Sequence, residues 1–179
     1  MRGKKIIFLA VFVVVMVVGL AASGTALASP AKALTHHSVC ASGILVPIGQ
    51  TPGTTTVDPA TGEVVVIGAV TTWALHGDLE GTYCETIDQH GSLITGLYTF
   101  RGRATFVGTL DGKKIRWAGP VRGNGFLDPA SGGTAGWEKC TVVITRSAGC
   151  LPHLRGFLKA SGSWSAEGGS ATYKALLVW

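Results

Sequence analysis

Residues 77–125 read GDLEGTYCETIDQHGSLITGLYTFRGRATFVGTLDGKKIRWAGPVRGNG, and this stretch decides the fold class. Ten glycines divide it into short runs in which apolar and polar residues alternate. Alternation with a period of two is typical of strands that bury one face. Turn sequences such as Asp111-Gly112 join consecutive antiparallel strands. The stretch therefore predicts a meander of antiparallel strands.

The same pattern continues on both sides of this block, and no segment has a helical period over ten or more residues. We predict about eight strands, near 39–48, 63–77, 79–88, 93–110, 114–126, 137–146, 154–166 and 172–179, with loops at 50–62 and 127–136. An all-β closed antiparallel barrel and a β-sandwich both fit this count. The glycines from Gly96 to Gly108 fall on the predicted inward face, where they would let strands bend, and this favours the barrel.

The N-terminus has the features of a secretory signal peptide. A basic start, MRGKK, precedes an apolar run from Ile6 to Ala22, and Ala26-Leu27-Ala28 fits a cleavage site. We expect cleavage after residue 28 and a secreted, extracellular protein. An uncleaved anchor is the alternative, although the run of 17 residues is at the short limit for a membrane span. The chain then comprises a signal peptide (1–28), a leader with a first strand and loop (29–62), and the barrel (63–179), with 39–48 packing on or into it.

Much of the apparent basicity belongs to the signal. The chain has 15 basic and 10 acidic residues, and loss of Arg2, Lys4 and Lys5 leaves 12 against 10. The remaining cations are scattered along the sequence, apart from the small group at 113–116. Because nucleic-acid binding needs a clustered basic face, we expect no nucleic-acid partner, and no membrane partner after signal cleavage.

The four cysteines all follow the signal, and an exported chain meets an oxidising compartment. We therefore expect two disulfides, Cys40–Cys84 and Cys140–Cys150, the second closing a short loop. No C-x-x-C pair or finger-spaced histidine is present, so we expect no metal site. The sequence also lacks phosphate-loop and dinucleotide motifs, and we expect no cofactor.

Two motifs resemble a bacterial family of uncharacterised small proteins. The first is G-D-L-x-G at Gly77–Gly81, and the second is F-x-G-T-L-D-G at Phe106–Gly112. The resemblance covers roughly residues 65–179 and implies an allene oxide cyclase-like, calycin-like barrel of eight strands around an apolar cavity. Its motifs are structural glycines and turns. No catalytic residue is carried over, because no local sequence matches the catalytic positions of plant allene oxide cyclases.

Large aromatic side chains and one acid on the predicted inward face are the candidate cavity lining. They are Trp73, Tyr83, Glu85, Tyr98, Phe100, Phe106 and Trp117. The aromatic residues could instead simply fill the core, as in most small barrels. Glu85 is an even number of residues from Tyr83 and Leu79, so it is expected on the same inward face. Burial there would raise the pKa of Glu85.

Other charged pairs are expected at the surface. Asp78 and Glu80 lie two apart on a strand and share a face with polar neighbours. Arg101 and Arg103 also share a face, and are expected to be surface charges that pair with those two acids.

Two classes of function fit these features. One is a secreted barrel of unknown activity that binds a small apolar ligand or serves as a stable extracellular domain. The alternative is an isomerase- or cyclase-type enzyme that encloses an apolar substrate. The sequence assigns neither catalytic residues nor an oligomeric state.

Overall fold

A computed structural model describes residues 37–132 and 134–179, so the predicted signal peptide (1–28) and the first eight residues of the segment 29–62 lie outside the described residues. Within them are ten strands and one short 3-10 helix, Pro129–Ser131. The strands are β1 (Ser38–Thr51), β2 (Thr54–Asp58), β3 (Glu63–Gly77), β4 (Leu79–Ser92), β5 (Leu97–Leu110), β6 (Lys113–Leu127), β7 (Gly136–Ile144), β8 (Arg146–Gly149), β9 (Arg155–Ser165) and β10 (Gly168–Val178).

Eight antiparallel strands close into a barrel, as the alternation predicted. The sheet order is β1-β10-β9-β7-β6-β5-β4-β3, and β1 also pairs with β3 to complete the ring. β2 pairs with β3 outside this ring. β8 pairs with residues 115–118 of β6, next to the part of β6 that pairs with β7. Closure excludes the sandwich alternative, and it makes residues 39–48 part of the barrel wall through β1.

Two details of the sequence interpretation are wrong. The segment 50–62, expected to be a loop, contains β2. In β3, a bulge lies between Val66 and Ala69, where Gly68 has a φ of +72°. The extra residue reverses the alternation, so Ile67 is exposed although it was placed on the same face as Ala69.

One end of the barrel, beside the β5–β6 turn, is filled by side chains. Leu79, Phe106 and Trp117 are fully buried there, and the rings of Phe106 and Trp117 stack with centroids 5.4 Å apart. Leu151 and Leu154, between β8 and β9, are buried in the same core and close that end. Each such side chain contributes roughly 1.5–3 kcal/mol by leaving water.

A buried tyrosine links strands that are not neighbours. Tyr173 of β10 faces Gly43 of β1, and its hydroxyl accepts from the Leu79 backbone N at 2.8 Å and donates to the Leu79 carbonyl at 3.2 Å. A Cβ at Gly43 would lie 2.7 Å from the Tyr173 ring and would also collide with the His76 carbonyl oxygen. The missing side chain therefore lets the tyrosine lie across β1 and reach β4.

The glycines of β5 behave only partly as predicted. Gly102 and Gly108 are on the inward face, where any Cβ would collide with carbonyl oxygens of β4. Gly96 instead lies in the turn before β5, with a φ of +70°. Ile94, which the alternation placed on the inward face, is exposed in the same turn.

The predicted disulfides are not formed, and all four cysteines are free thiols. In the strand register, Cys140 of β7 pairs with Gly123 of β6. Gly149 of β8, next to Cys150, pairs with Ile115 of β6. Gly123 and Ile115 are eight residues apart along β6, or about 26 Å. The Cα atoms of two disulfide-bonded cysteines lie within about 7 Å of each other, so Cys140 and Cys150 are too far apart to be bonded.

The Cys40–Cys84 pairing fails for the same reason. Cys84 of β4 pairs with Thr72 of β3, and Thr72 pairs with Gly49 of β1. Nine residues along β1 separate Gly49 from Cys40, which amounts to about 30 Å.

Two glycines of β1 give a matched test of this packing. We expect Gly43→Ala to lower the free energy of unfolding by about 1–3 kcal/mol, because backbone and ring atoms must move to admit the methyl group. Gly49→Ala should change it by less than about 0.5 kcal/mol, since the nearest atom would be 3.8 Å away. Urea unfolding of the two variants measures both values. Equal effects would contradict the assigned role of Gly43.

Candidate functional site

The other half of the barrel holds a cavity of about 580 Å³. It lies at the end formed by the β4–β5 turn, the β6–β7 loop and the β9–β10 turn. Exposed residues such as Gln50, Ser163 and Ser170 line its rim, so the cavity reaches the surface. Its deeper wall is formed by Leu45, Ala69, Thr71, Trp73, Tyr83, Glu85, Ile87, Tyr98, Glu138, Cys140 and Trp164.

Glu85 is a buried carboxyl group, only 3% exposed, held by two aromatic donors. The Tyr83 hydroxyl donates to Oε2 at 2.7 Å, and the Trp73 indole Nε1 donates to Oε1 at 3.3 Å. Burial raises the pKa of Glu85, although these two hydrogen bonds act in the opposite direction. Desolvation therefore outweighs hydrogen bonding, and the predicted upward shift is found.

A second acid, Glu138 of β7, faces the same cavity. The Tyr98 hydroxyl donates to its Oε2 at 2.9 Å. Burial and, next, the charge of Glu85 raise the pKa of Glu138 to about 7. Glu138 is therefore part protonated and part ionised near neutral pH. No residue in the described ranges donates a hydrogen bond to its Oε1, which leaves that oxygen for a ligand.

The register explains how Tyr98 reaches Glu138 across an intervening strand. Tyr98 of β5 pairs with Gly125 of β6, and Gly125 pairs with Glu138 of β7. A Cβ at Gly125 would collide with the Tyr98 ring and hydroxyl. The tyrosine thus crosses a glycine to bind the acid, as Tyr173 crosses Gly43 at the other end.

Cys140 also lines the cavity, but it is not an activated nucleophile. Burial, followed by the charges of Glu85 and Glu138, raises the pKa of its thiol to about 12. The reactive form of cysteine is the thiolate, so this thiol remains protonated and inert at neutral pH.

Four of the seven predicted lining residues border the cavity: Trp73, Tyr83, Glu85 and Tyr98. Phe100, Phe106 and Trp117 do not, because they are buried in the packed core. The sequence reasoning missed Glu138, Cys140 and Trp164. Glu138 could have been found from its parity, since it alternates in step with Val142 and Ile144, which are both buried.

The other singled-out charges are on the outer surface. Asp78 and Glu80 are exposed as expected, and Asp78 Oδ2 accepts from the Ser42 backbone N at 2.7 Å. Arg101 and Arg103 are exposed too, but the register places them opposite Asp88 and Thr86. Their expected pairing with Asp78 or Glu80 is therefore wrong.

Comparison with protein-family models and with curated proteins finds no match to this chain. Within residues 37–132 and 134–179, no three His, Cys, Asp or Glu side chains are grouped as metal ligands. No helix in those ranges is long and apolar enough to cross a membrane.

The raised acid pKa values make stability depend on pH. Between about pH 4.5 and 7, folded Glu138 keeps a proton that the unfolded chain releases. Its stabilising contribution is therefore complete below pH 4.5 and is lost as the pH rises through 7. We expect the free energy of unfolding to fall over this window, with a slope from this group of at most about 1.4 kcal/mol per pH unit.

Glu138→Gln should flatten this slope, whereas Glu167→Gln, an exposed acid in the β9–β10 turn, should leave it unchanged. Urea unfolding at several pH values provides the measurement. A stability that is constant or rises from pH 5 to 7 in the parent protein would disprove the assignment.

Proposed function

We propose that the protein binds a small organic ligand with an apolar body and a basic head group in the mouth of the barrel. The main support is that two acids, Glu85 and Glu138, face one cavity, whose lining among the described residues includes a single basic residue, Lys139. Lys139 is exposed, and its Nζ lies 5.0 Å from the ring centre of Trp137, which is also exposed, rather than within 4.0 Å of either acid. A buried carboxylate without a cation is costly, and a cationic ligand would remove that cost.

The walls of the cavity suit the rest of such a ligand. Trp73, Tyr83, Tyr98 and Trp164 contribute aromatic surface, and the faces of such rings attract organic cations. Aliphatic groups from Leu45, Ala69 and Ile87 line the same space. A volume of about 580 Å³ lies in the range of small-molecule sites. The N-terminal sequence supports action outside the cell.

A matched pair of probes tests this proposal. Octylamine and octan-1-ol have the same chain but differ in charge, and calorimetric titration compares their affinities. At pH 8, where Glu138 is ionised, we expect the amine to bind at least tenfold more tightly. The preference should shrink at pH 5.5, because protonation of Glu138 removes the charge that attracts the amine.

Variants separate the charge from the apolar cavity. Glu138→Gln should abolish the preference for the amine while both probes still bind, and Glu167→Gln should keep it. Equal affinities in the parent protein would refute the basic head group. Absence of binding by both probes would refute the ligand-binding function.

A second candidate is an isomerase that moves protons on an apolar substrate. Glu138 favours it, because a pKa of about 7 and a free oxygen suit a general acid–base group. The simplest reaction shifts the double bond of a β,γ-unsaturated ketone into conjugation. Glu138 would remove the α-proton and return it to the γ-carbon, so no other reactant is needed.

Cyclohex-3-en-1-one is a direct probe of this activity, followed by the absorbance of its conjugated product. We expect the protein to accelerate the shift, and Glu138→Gln to slow the protein-dependent rate at least about 100-fold. The exposed-site control Glu167→Gln should retain the rate. An acceleration that survives Glu138→Gln would exclude Glu138 as the proton carrier, and no acceleration would remove this candidate for this substrate class.

A further inference from the structure

The outer wall of the barrel has its charges separated by sign. Residues 93–179, which form β5 to β10, contain eleven Lys or Arg residues, all exposed, and four acids. Three of the acids, Asp111, Asp128 and Glu167, lie in turns between strands, and Glu138 faces the cavity. Residues 38–92, which form β1 to β4, contain six acids and no Lys or Arg. The sequence predicts no nucleic-acid partner because its cations are scattered, but the pairing of strands brings them together on one side of the barrel.

Four of these cations lie in a single row across the strands. Lys174 of β10 is directly opposite Lys159 of β9, and Lys159 is opposite Thr141 of β7. Thr141 is opposite Arg122 of β6, which in turn faces Arg101 of β5. The row therefore contains two pairs of directly opposed like charges, an arrangement that destabilises a sheet.

The protein does not neutralise this row from within. In residues 37–132 and 134–179, the single contact within 4.0 Å between an acidic and a basic side chain joins Glu63 and His90, outside the row. Asp88 ends the row opposite Arg101, but its Oδ1 accepts from the Gly68 backbone N at 3.0 Å. The exposed Lys159 Nζ lies 5.5 Å from the ring centre of Phe157.

A second copy of the chain is a poor counterpart, because its acids do not form a matching row. Glu80 and Asp88 lie eight residues apart on β4, or about 26 Å. Glu63 pairs with Ser92, a further four residues along β4. The anion that fits this row must therefore come from another molecule.

We infer that the row Lys174–Lys159–Arg122–Arg101 binds a single-stranded nucleic acid through its phosphates. The row crosses four strand intervals of about 4.8 Å, or about 19 Å. Four intervals are half the circumference of an eight-stranded barrel, so the side chains point in diverging directions. A flexible strand can follow that curve, whereas a flat membrane or a stiff duplex reaches only part of it.

Two exposed aromatic rings on the same wall add to this fit. Phe157 of β9 and Trp137 of β7 are 38% and 36% exposed. Each has a lysine ammonium near its ring, Lys159 and Lys139. Positive charge that follows a backbone, together with aromatic faces on which unpaired bases stack, is how proteins bind single strands without sequence preference.

The test is fluorescence anisotropy with a labelled twelve-residue oligothymidylate at several salt concentrations. Four phosphate contacts predict a slope of log affinity against log salt of about −2.8. Either Arg101→Gln/Arg122→Gln or Lys159→Gln/Lys174→Gln should reduce it to about −1.4 and weaken binding at least tenfold at low salt. Neither double variant should lower the melting temperature, since each removes a like-charged pair.

The matched control is Lys113→Gln/Lys114→Gln, which removes the same charge at the β5–β6 turn, about 26 Å along β6 from Arg122. This control should keep the parent slope and affinity. The proposal is overturned if the oligonucleotide does not bind, or if the control loses as much affinity as the row variants. Binding to phosphatidylglycerol vesicles without binding to the oligonucleotide would overturn it in favour of a membrane surface.

Discussion

Aromatic side chains that lie across glycines of the next strand hold the interior of this barrel together. Tyr173 crosses Gly43 to reach Leu79, and Tyr98 crosses Gly125 to reach Glu138. In each case the absent Cβ is what allows the ring to lie flat against the neighbouring backbone. The first crossing fixes the closed end of the barrel, and the second orients an acid in the cavity. Fold and site thus use the same arrangement.

The closed end and the open end differ in how completely their side chains fill the interior. Phe106 and Trp117 stack and fill the space between the walls at one end. Towards the other end, small residues such as Ala160, Gly162 and Ala171 replace them, and a cavity remains. Placing acids there is costly, because the charge of Glu85 raises the cost of ionising Glu138 beyond that of burial alone. Such a cost is typical of binding sites, where a ligand can offset it.

Much of the fold was predictable from sequence, because alternation and glycine turns are local signals. The cavity was predictable only in part. The alternation of side chains along a strand placed Glu85 and Tyr83 correctly on the inward face. It cannot distinguish inward aromatic rings that fill the core from those that border the cavity. Phe106 and Tyr98 have the same parity on one strand, and their different surroundings arise from strands distant in sequence. The disulfides failed similarly, because spacing in the chain does not reveal that Cys140 faces inward and Cys150 lies at the opposite end.

The separation of charge on the outer wall also determines how the whole molecule behaves in an electric field. With acids on β2 to β4 and cations on β5 to β10, the barrel has a large permanent dipole moment directed across its width. The net charge of the chain gives no sign of this. Long-range fields turn such a molecule before contact. It therefore approaches any strongly charged surface with a preferred face, and the aqueous mouth of the barrel then opens sideways, parallel to that surface.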